Sequence, residues 1–106
     1  MISINDFKKM EIKIATIVEV KDHPNADKLY LLTINLGTEQ RQIVAGIKKH
    51  YSPEELLNKN IVVVTNLEPA TIRGIESKGM LLAAQGEDNI VLLTTDKSLF
   101  PGAGVR

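Results

Sequence analysis

The chain has 106 residues, of which 43% are hydrophobic and 25% charged. That is enough for one buried core and too little to surround a deep cleft with a second lobe, so a single domain over residues 1–106 is expected. Thirteen Lys and Arg balance thirteen Asp and Glu, no apolar run approaches a membrane span, and Cys is missing altogether, which excludes thiolate zinc sites, iron-sulfur clusters and cysteine nucleophiles. Met1 to Phe7 carries neither the basic nor the apolar segment of a signal peptide, so a cytoplasmic location with no membrane partner is expected.

Apolar and polar residues alternate with period two at the start. Ile12, Ile14, Val18 and Val20 form an inner set, with Thr16 as its polar member, against Glu11, Lys13, Glu19 and Lys21; this predicts a half-buried first strand. His23-Pro24-Asn25-Ala26-Asp27 predicts a turn, because Pro fixes its own φ and Asn and Asp hydrogen-bond their local backbone. Leu29 to Leu36 is the second predicted strand, and Gly37-Thr38-Glu39 closes a hairpin into a third over Gln42 to Ile47. Ser52-Pro53-Glu54-Glu55 combines a hydroxyl cap, a Pro at the first helical position and a Glu three residues after the cap, predicting a short helix from Pro53 to about Leu57. Ile61-Val62-Val63-Val64 is apolar at every position and β-branched, as in a strand covered on both faces, while Met80 to Ala84 and Ile90 to Leu93 supply two more strands. The tail from Phe100 to Arg106 is expected to run extended and to pack through its apolar residues. The sum is an all-β fold: a five-stranded Greek-key barrel of the OB type, with one short helix between the third and fourth strands and short extra terminal elements.

The connection Asn66 to Ala84 concentrates the candidate chemistry. It places an Arg, a Ser, a Lys and two Gly residues between two apolar runs, and a loop with cationic and hydroxyl donors at the rim of a β-structure can grip phosphate and sugar. Between residues 41 and 80 six basic side chains face four acidic ones, a mild positive excess that also fits a solvated mixed surface. The four aromatic residues, Phe7, Tyr30, Tyr51 and Phe100, are too few for the stacking platform with which OB folds hold long single strands. Tyr30 sits in the alternating set with Leu32, Ile34 and Leu36, which points inward rather than to a base.

Six blocks in order, D-F-K-K-M at 6–10, H-P-N-A-D-K-L-Y at 23–30, R-Q-I-V-A-G-I at 41–47, Y-S-P-E-E-L at 51–56, N-L-E-P at 66–69 and R-G-I-E-S-K-G-M-L-L-A at 73–83, resemble the OB-fold tRNA-binding domain. That family includes the C-terminal domains and β subunits of methionyl-tRNA synthetases and free-standing tRNA-binding proteins. Composition and periodicity do not point to RNA; the resemblance supplies that step. It implies a homodimer that binds tRNA mainly by shape, possible association with a methionyl-tRNA synthetase catalytic chain, and RNA contact through the loop Arg73 to Met80, with Ser77 and Met80 on matching positions.

Lys28, Arg41, Arg73 and Lys78 are the remaining candidates. Each has a plain alternative as a solvated surface cation, Arg73 before Gly74 as part of a tight turn, Ser77 as a strand end, and Met80 as core filler. Asn25 and Asn66 belong to the same blocks and more often shape their own turns. Glu68 stands where relatives often carry Lys, and Ala15-Thr16 replaces a Gly-containing pair, which lowers the affinity to be expected rather than altering the fold. The motifs H-x-G-H and K-M-S-K-S, a P-loop and G-x-G-x-x-G are all missing, so the domain is expected to catalyse nothing and to need no cofactor or metal. His23 reads as a turn residue and His50 as a surface one. A second reading from the same fold family is a dimeric export-related chaperone that takes up peptide; N-A-D-K-L and E-S-K-G-M-L-L-A look closer to the tRNA-binding branch.

Overall fold

The computed structural model describes all 106 residues, Met1 to Arg106. Its main sheet is built around β1 (Ile12–Asp22), a strand long enough to serve two partners. The first half of β1 pairs antiparallel with β4 (Asn60–Val64), and the second half with β2 (Tyr30–Asn35). The ladder to β2 changes register between Ile17 and Glu19, and such a bulge bends the strand and resets its alternation. The inner set read from the sequence is corrected: before the bulge Ala15 and Ile17 join the core cluster while Ile12 and Ile14 are buried outside it, and after the bulge Val20 packs against the core and Val18 is exposed.

The sheet continues from β2 to β3 (Gln40–Ala45) on one side and from β4 to β7 (Met80–Leu81) on the other, giving the order β3-β2-β1-β4-β7. It curls into a half-barrel of the OB type. Tyr30, Leu32, Ile34 and Leu36 all point inward, as their alternation predicts. The helix α2 (Pro53–Leu56) lies between β3 and β4 and begins with a reciprocal capping box between Ser52 and Glu55. That box holds the Glu55 carboxyl below its ordinary range, and the helix lowers Leu56 into the core beside Ile17, Ile43 and Val63.

Three features were not anticipated. A four-residue helix α1 (Ile4–Phe7) is capped by Ser3, which accepts from the Asp6 N–H at 3.0 Å. The strand expected over Met80 to Ala84 divides after Leu81: β8 (Ala83–Gln85) leaves β4 and pairs with β9 (Ile90–Leu92). The C-terminal tail, expected to be extended and packed, forms β10 (Gly104–Val105) against β1.

The tail is locked by glycine contacts. The Gly102 N–H donates to the Ile14 carbonyl at 2.7 Å, and the Ile14 N–H donates to the Ala103 carbonyl at 2.9 Å. Gly102 has φ +95°, and a Cβ there would stand 2.4 Å from the Leu36 carbonyl oxygen. Gly102→Ala is therefore expected to lower stability by about 2–3 kcal/mol, from backbone strain and forced separation of tail and turn. Gly104→Ala, which meets nothing, should stay within about 0.5 kcal/mol of wild type; urea denaturation of the two variants distinguishes the positions.

Candidate nucleic-acid interface

Within the connection read as a loop, residues 70–77 fold into a two-stranded finger, β5 (Ala70–Ile72) and β6 (Ile75–Ser77), joined by Arg73-Gly74. Both turn residues have positive φ, +52° and +88°, as in a type I′ hairpin turn, whose first position favours Asn. An Arg in this left-handed conformation costs roughly 1–2 kcal/mol. Its side chain is anchored, with Nη2 donating to the Asn25 carbonyl at 3.0 Å.

His23 completes that link from below. It is buried; its Nδ1 accepts from the Asn25 N–H at 3.0 Å, which leaves Nε2 as the nitrogen that donates to the Ile72 carbonyl, also at 3.0 Å. The sequence showed His23 only as part of a turn. In the fold its ring ties that turn to the finger, and Asn25 is held through both its N–H and its carbonyl.

Between turn and finger opens a cleft of about 470 Å³, lined by Asn25 to Leu29 and Arg73. Lys28 is exposed there and enters no ion pair. The N–H groups of Ala26, Asp27 and Lys28 donate to nothing in the protein. Two cationic side chains and a run of free amides form a surface suited to an anion, tempered by the Asp27 carboxylate on the same rim.

Arg41, Ser77 and Lys78 meet elsewhere, where the curled sheet closes on itself. The Lys78 N–H donates to the Gln42 carbonyl at 3.0 Å. The Ser77 hydroxyl accepts from the Val44 N–H at 2.9 Å and donates to the Gly79 carbonyl at 3.0 Å, and Ser77 is only 3% exposed. Arg41 donates through Nη1 to the Thr65 carbonyl at 2.6 Å and through Nε to Glu39 at 2.7 Å. Thus the Ser77 hydroxyl and half-buried Arg41 face the protein's own backbone rather than the outer rim. The Lys78 ammonium remains exposed, with an equally exposed Glu76 at 3.6 Å, a pairing of small energetic value. Met80 is 49% exposed. Tyr30 is buried, its hydroxyl donating to the Tyr51 carbonyl at 2.8 Å, and burial pushes its phenol pKa up. The Asn66 side chain bridges the Glu11 N–H and the Lys9 carbonyl, tethering the N-terminal segment to the end of β4.

The sequence profile of a putative tRNA binding domain matches residues 12–104. The chain belongs to this family. It is 54% identical over 105 residues to the methionine–tRNA ligase of Pyrococcus horikoshii, covering 99% of this chain but 14% of that protein. Among solved structures, a protein related to methionyl-tRNA synthetase from Pyrococcus horikoshii superposes with a TM-score of 0.93 at 33% identity, covering 100% of this chain and 98% of the other. The CsaA chaperone protein of Picrophilus torridus superposes at 0.92 and 35% identity over the whole of both chains.

Ser77→Ala strands the Val44 N–H and the Gly79 carbonyl at a buried seam, so a loss of about 2 kcal/mol is expected in chemical denaturation. Lys78→Ala should change stability by less than about 0.5 kcal/mol. The Arg41 hydrogen bond holds the Glu39 carboxyl below its ordinary range, so its contribution is present above that range and lost as pH falls through the lowered value. The melting temperature should accordingly drop on acidification through the carboxylate range, with a smaller drop in Glu39→Gln.

Proposed function

We propose that this domain binds folded tRNA through the cleft between the Asn25–Leu29 turn and the β5–β6 finger, with Lys28 and Arg73 on phosphates, Lys78 and Met80 flanking them, and Ser77 and Arg41 holding the finger in place. The observation that carries the proposal is the cleft itself: an unpaired Lys28, three free amides and a cation kept on a turn position that disfavours its backbone. Strain retained where a less strained residue is available is a mark of function.

The domain spans 14% of the methionine–tRNA ligase it matches, and we read it as the C-terminal domain or β subunit of such a synthetase. Its task there is to raise the tRNA affinity of a catalytic chain by supplying a second contact, in the cytoplasm, without aminoacylating anything alone. A homodimer would double the cationic surface. Exposed Val91, Leu93, Leu99 and Phe100 offer apolar area for the interface. With zero formal net charge, binding of the isolated domain should be weak and strongly salt-sensitive.

The likeness to the CsaA chaperone protein supports a second reading, peptide binding. Filter binding of bulk tRNA across a salt series decides between them: retention at low salt and steep loss at high salt supports the RNA reading, whereas indifference to tRNA together with uptake of unfolded peptide supports the other. Removing Lys28 should weaken binding to all tRNAs alike and reduce the salt slope by about one. Arg73→Asn separates binding from stability. Asn suits the type I′ turn, so stability should stay within about 1 kcal/mol of wild type while tRNA affinity falls.

A further inference from the structure

The other side of the finger carries a second, smaller cavity of about 160 Å³, lined chiefly by Val44, Leu67, Ile72 and Met80, with Glu68 at its edge. Leu67 and Met80 are 45% and 49% exposed, so this slot presents apolar walls to water beside the strand end that Ser77 pins. The Glu68 carboxylate enters no ion pair and accepts no hydrogen bond. An apolar slot with a single free acceptor at its mouth suits a flat ring that has donors on one edge.

We infer that the slot holds one unpaired nucleobase of the bound RNA, read by Glu68 through its donor edge, with guanine the preferred occupant. This rests on the RNA reading above and adds base selectivity to it. A carboxylate accepts through two oxygens and donates nothing. Guanine offers N1–H and the N2 amino group side by side, matching both oxygens; adenine and cytosine offer one amino group each, and uracil sets carbonyl oxygens on either side of its only N–H. Unpaired bases are bound in this way, with the ring against side chains and the Watson–Crick edge hydrogen-bonded, and a polarizable thioether such as that of Met80 packs well on a ring face.

The charges around the slot favour a nucleotide over a peptide side chain. Lys78 lies between Ser77 and Gly79, both of which line the slot, with the Glu76 carboxylate 3.6 Å from its ammonium, while Arg73 is held on the opposite flank by the Asn25 carbonyl. The exposed Lys78 ammonium suits a phosphate beside the base and opposes the Lys or Arg side chain that the Glu68 carboxylate would otherwise attract. Glu68 adds negative charge, which disfavours RNA in general, so its effect on selectivity and its effect on overall affinity have opposite signs.

The test is a titration of the full chain with the four nucleoside 5′-monophosphates at millimolar concentrations, followed by the methyl resonances of Met80 and Leu67, with tRNA filter binding run in parallel on the same samples. Guanosine monophosphate should bind most tightly and uridine monophosphate most weakly, about tenfold apart. Glu68→Gln should compress that ratio while leaving low-salt tRNA affinity equal or higher, and its unchanged melting temperature would show an intact fold. Four nucleotides binding alike, or a ratio unaltered in Glu68→Gln, would overturn the slot while tRNA retention leaves the RNA reading standing. Displacement of the Met80 methyl signal by a Lys-containing peptide, with none by nucleotides, would overturn it in favour of a peptide occupant. Loss of tRNA binding in wild type would refute the wider reading, and the nucleotide titration would still decide the slot.

Discussion

The hydrogen bond from the Val44 N–H to the Ser77 hydroxyl governs the geometry of the proposed binding face. A half-barrel leaves the outer edge of its last strand with backbone donors that a full ladder would satisfy, and an unpaired buried donor is costly. Here β3 is that strand. The edge is met not by a regular neighbour but by one side-chain oxygen and one amide, Ser77 and Lys78, with Arg41 clamping the Thr65 carbonyl alongside. Because Ser77 ends β6, the same contact that satisfies the edge also sets where the finger leaves the barrel. Every buried side-chain polar atom finds a partner, so the seam is a satisfied network rather than a compromise.

From that anchor the finger reaches outward between two unlike surfaces. One flank meets the Asn25–Leu29 turn, with His23 and Arg73 supplying the bridging hydrogen bonds and Lys28 left free. The other flank bounds the apolar slot with Glu68 at its edge. In the reading proposed above, the cleft takes the sugar-phosphate chain and the slot a base, on opposite sides of a narrow hairpin. On that reading a formally neutral protein has local rather than global complementarity to RNA, which favours recognition of a folded shape over indiscriminate attraction to phosphate.

The barrel was legible in the sequence because its long strands repeat a pattern often enough to be recognised. Tyr30, Leu32, Ile34 and Leu36 define an inward face unaided, and Ser52 to Glu55 spells out a helix start. β1 misled because both its faces are covered between Ile12 and Ile17, and because the bulge after Ile17 then shifts the alternation without any Gly or Pro to announce it. The finger was hidden for another reason: three residues per strand are too few to show a period, although Arg73-Gly74 with φ > 0 is a hairpin turn once Gly is allowed for. Ser3 with Asp6 three residues on is a helix start written in the sequence, but four residues are too few for α1 to show a period.

The candidate residues fall into two groups that no local sequence pattern separates. Lys28 and Arg73 share a cleft although they lie far apart in the chain, a proximity only the fold supplies. Ser77 looked like a donor for RNA because a hydroxyl on a short strand gives no sign of which way it points; the structure turns it inward. His23 carried a weak signal, an imidazole beside Pro-Asn, and its role depends on Ile72, which no local pattern could reveal. The measurement that tests the central claim most directly is native-state hydrogen exchange at the Val44 amide. Protection near that of the barrel core, abolished when the Ser77 hydroxyl is removed, is the result expected of a seam that holds the finger in place; exchange in wild type as fast as that of an exposed loop amide would contradict it.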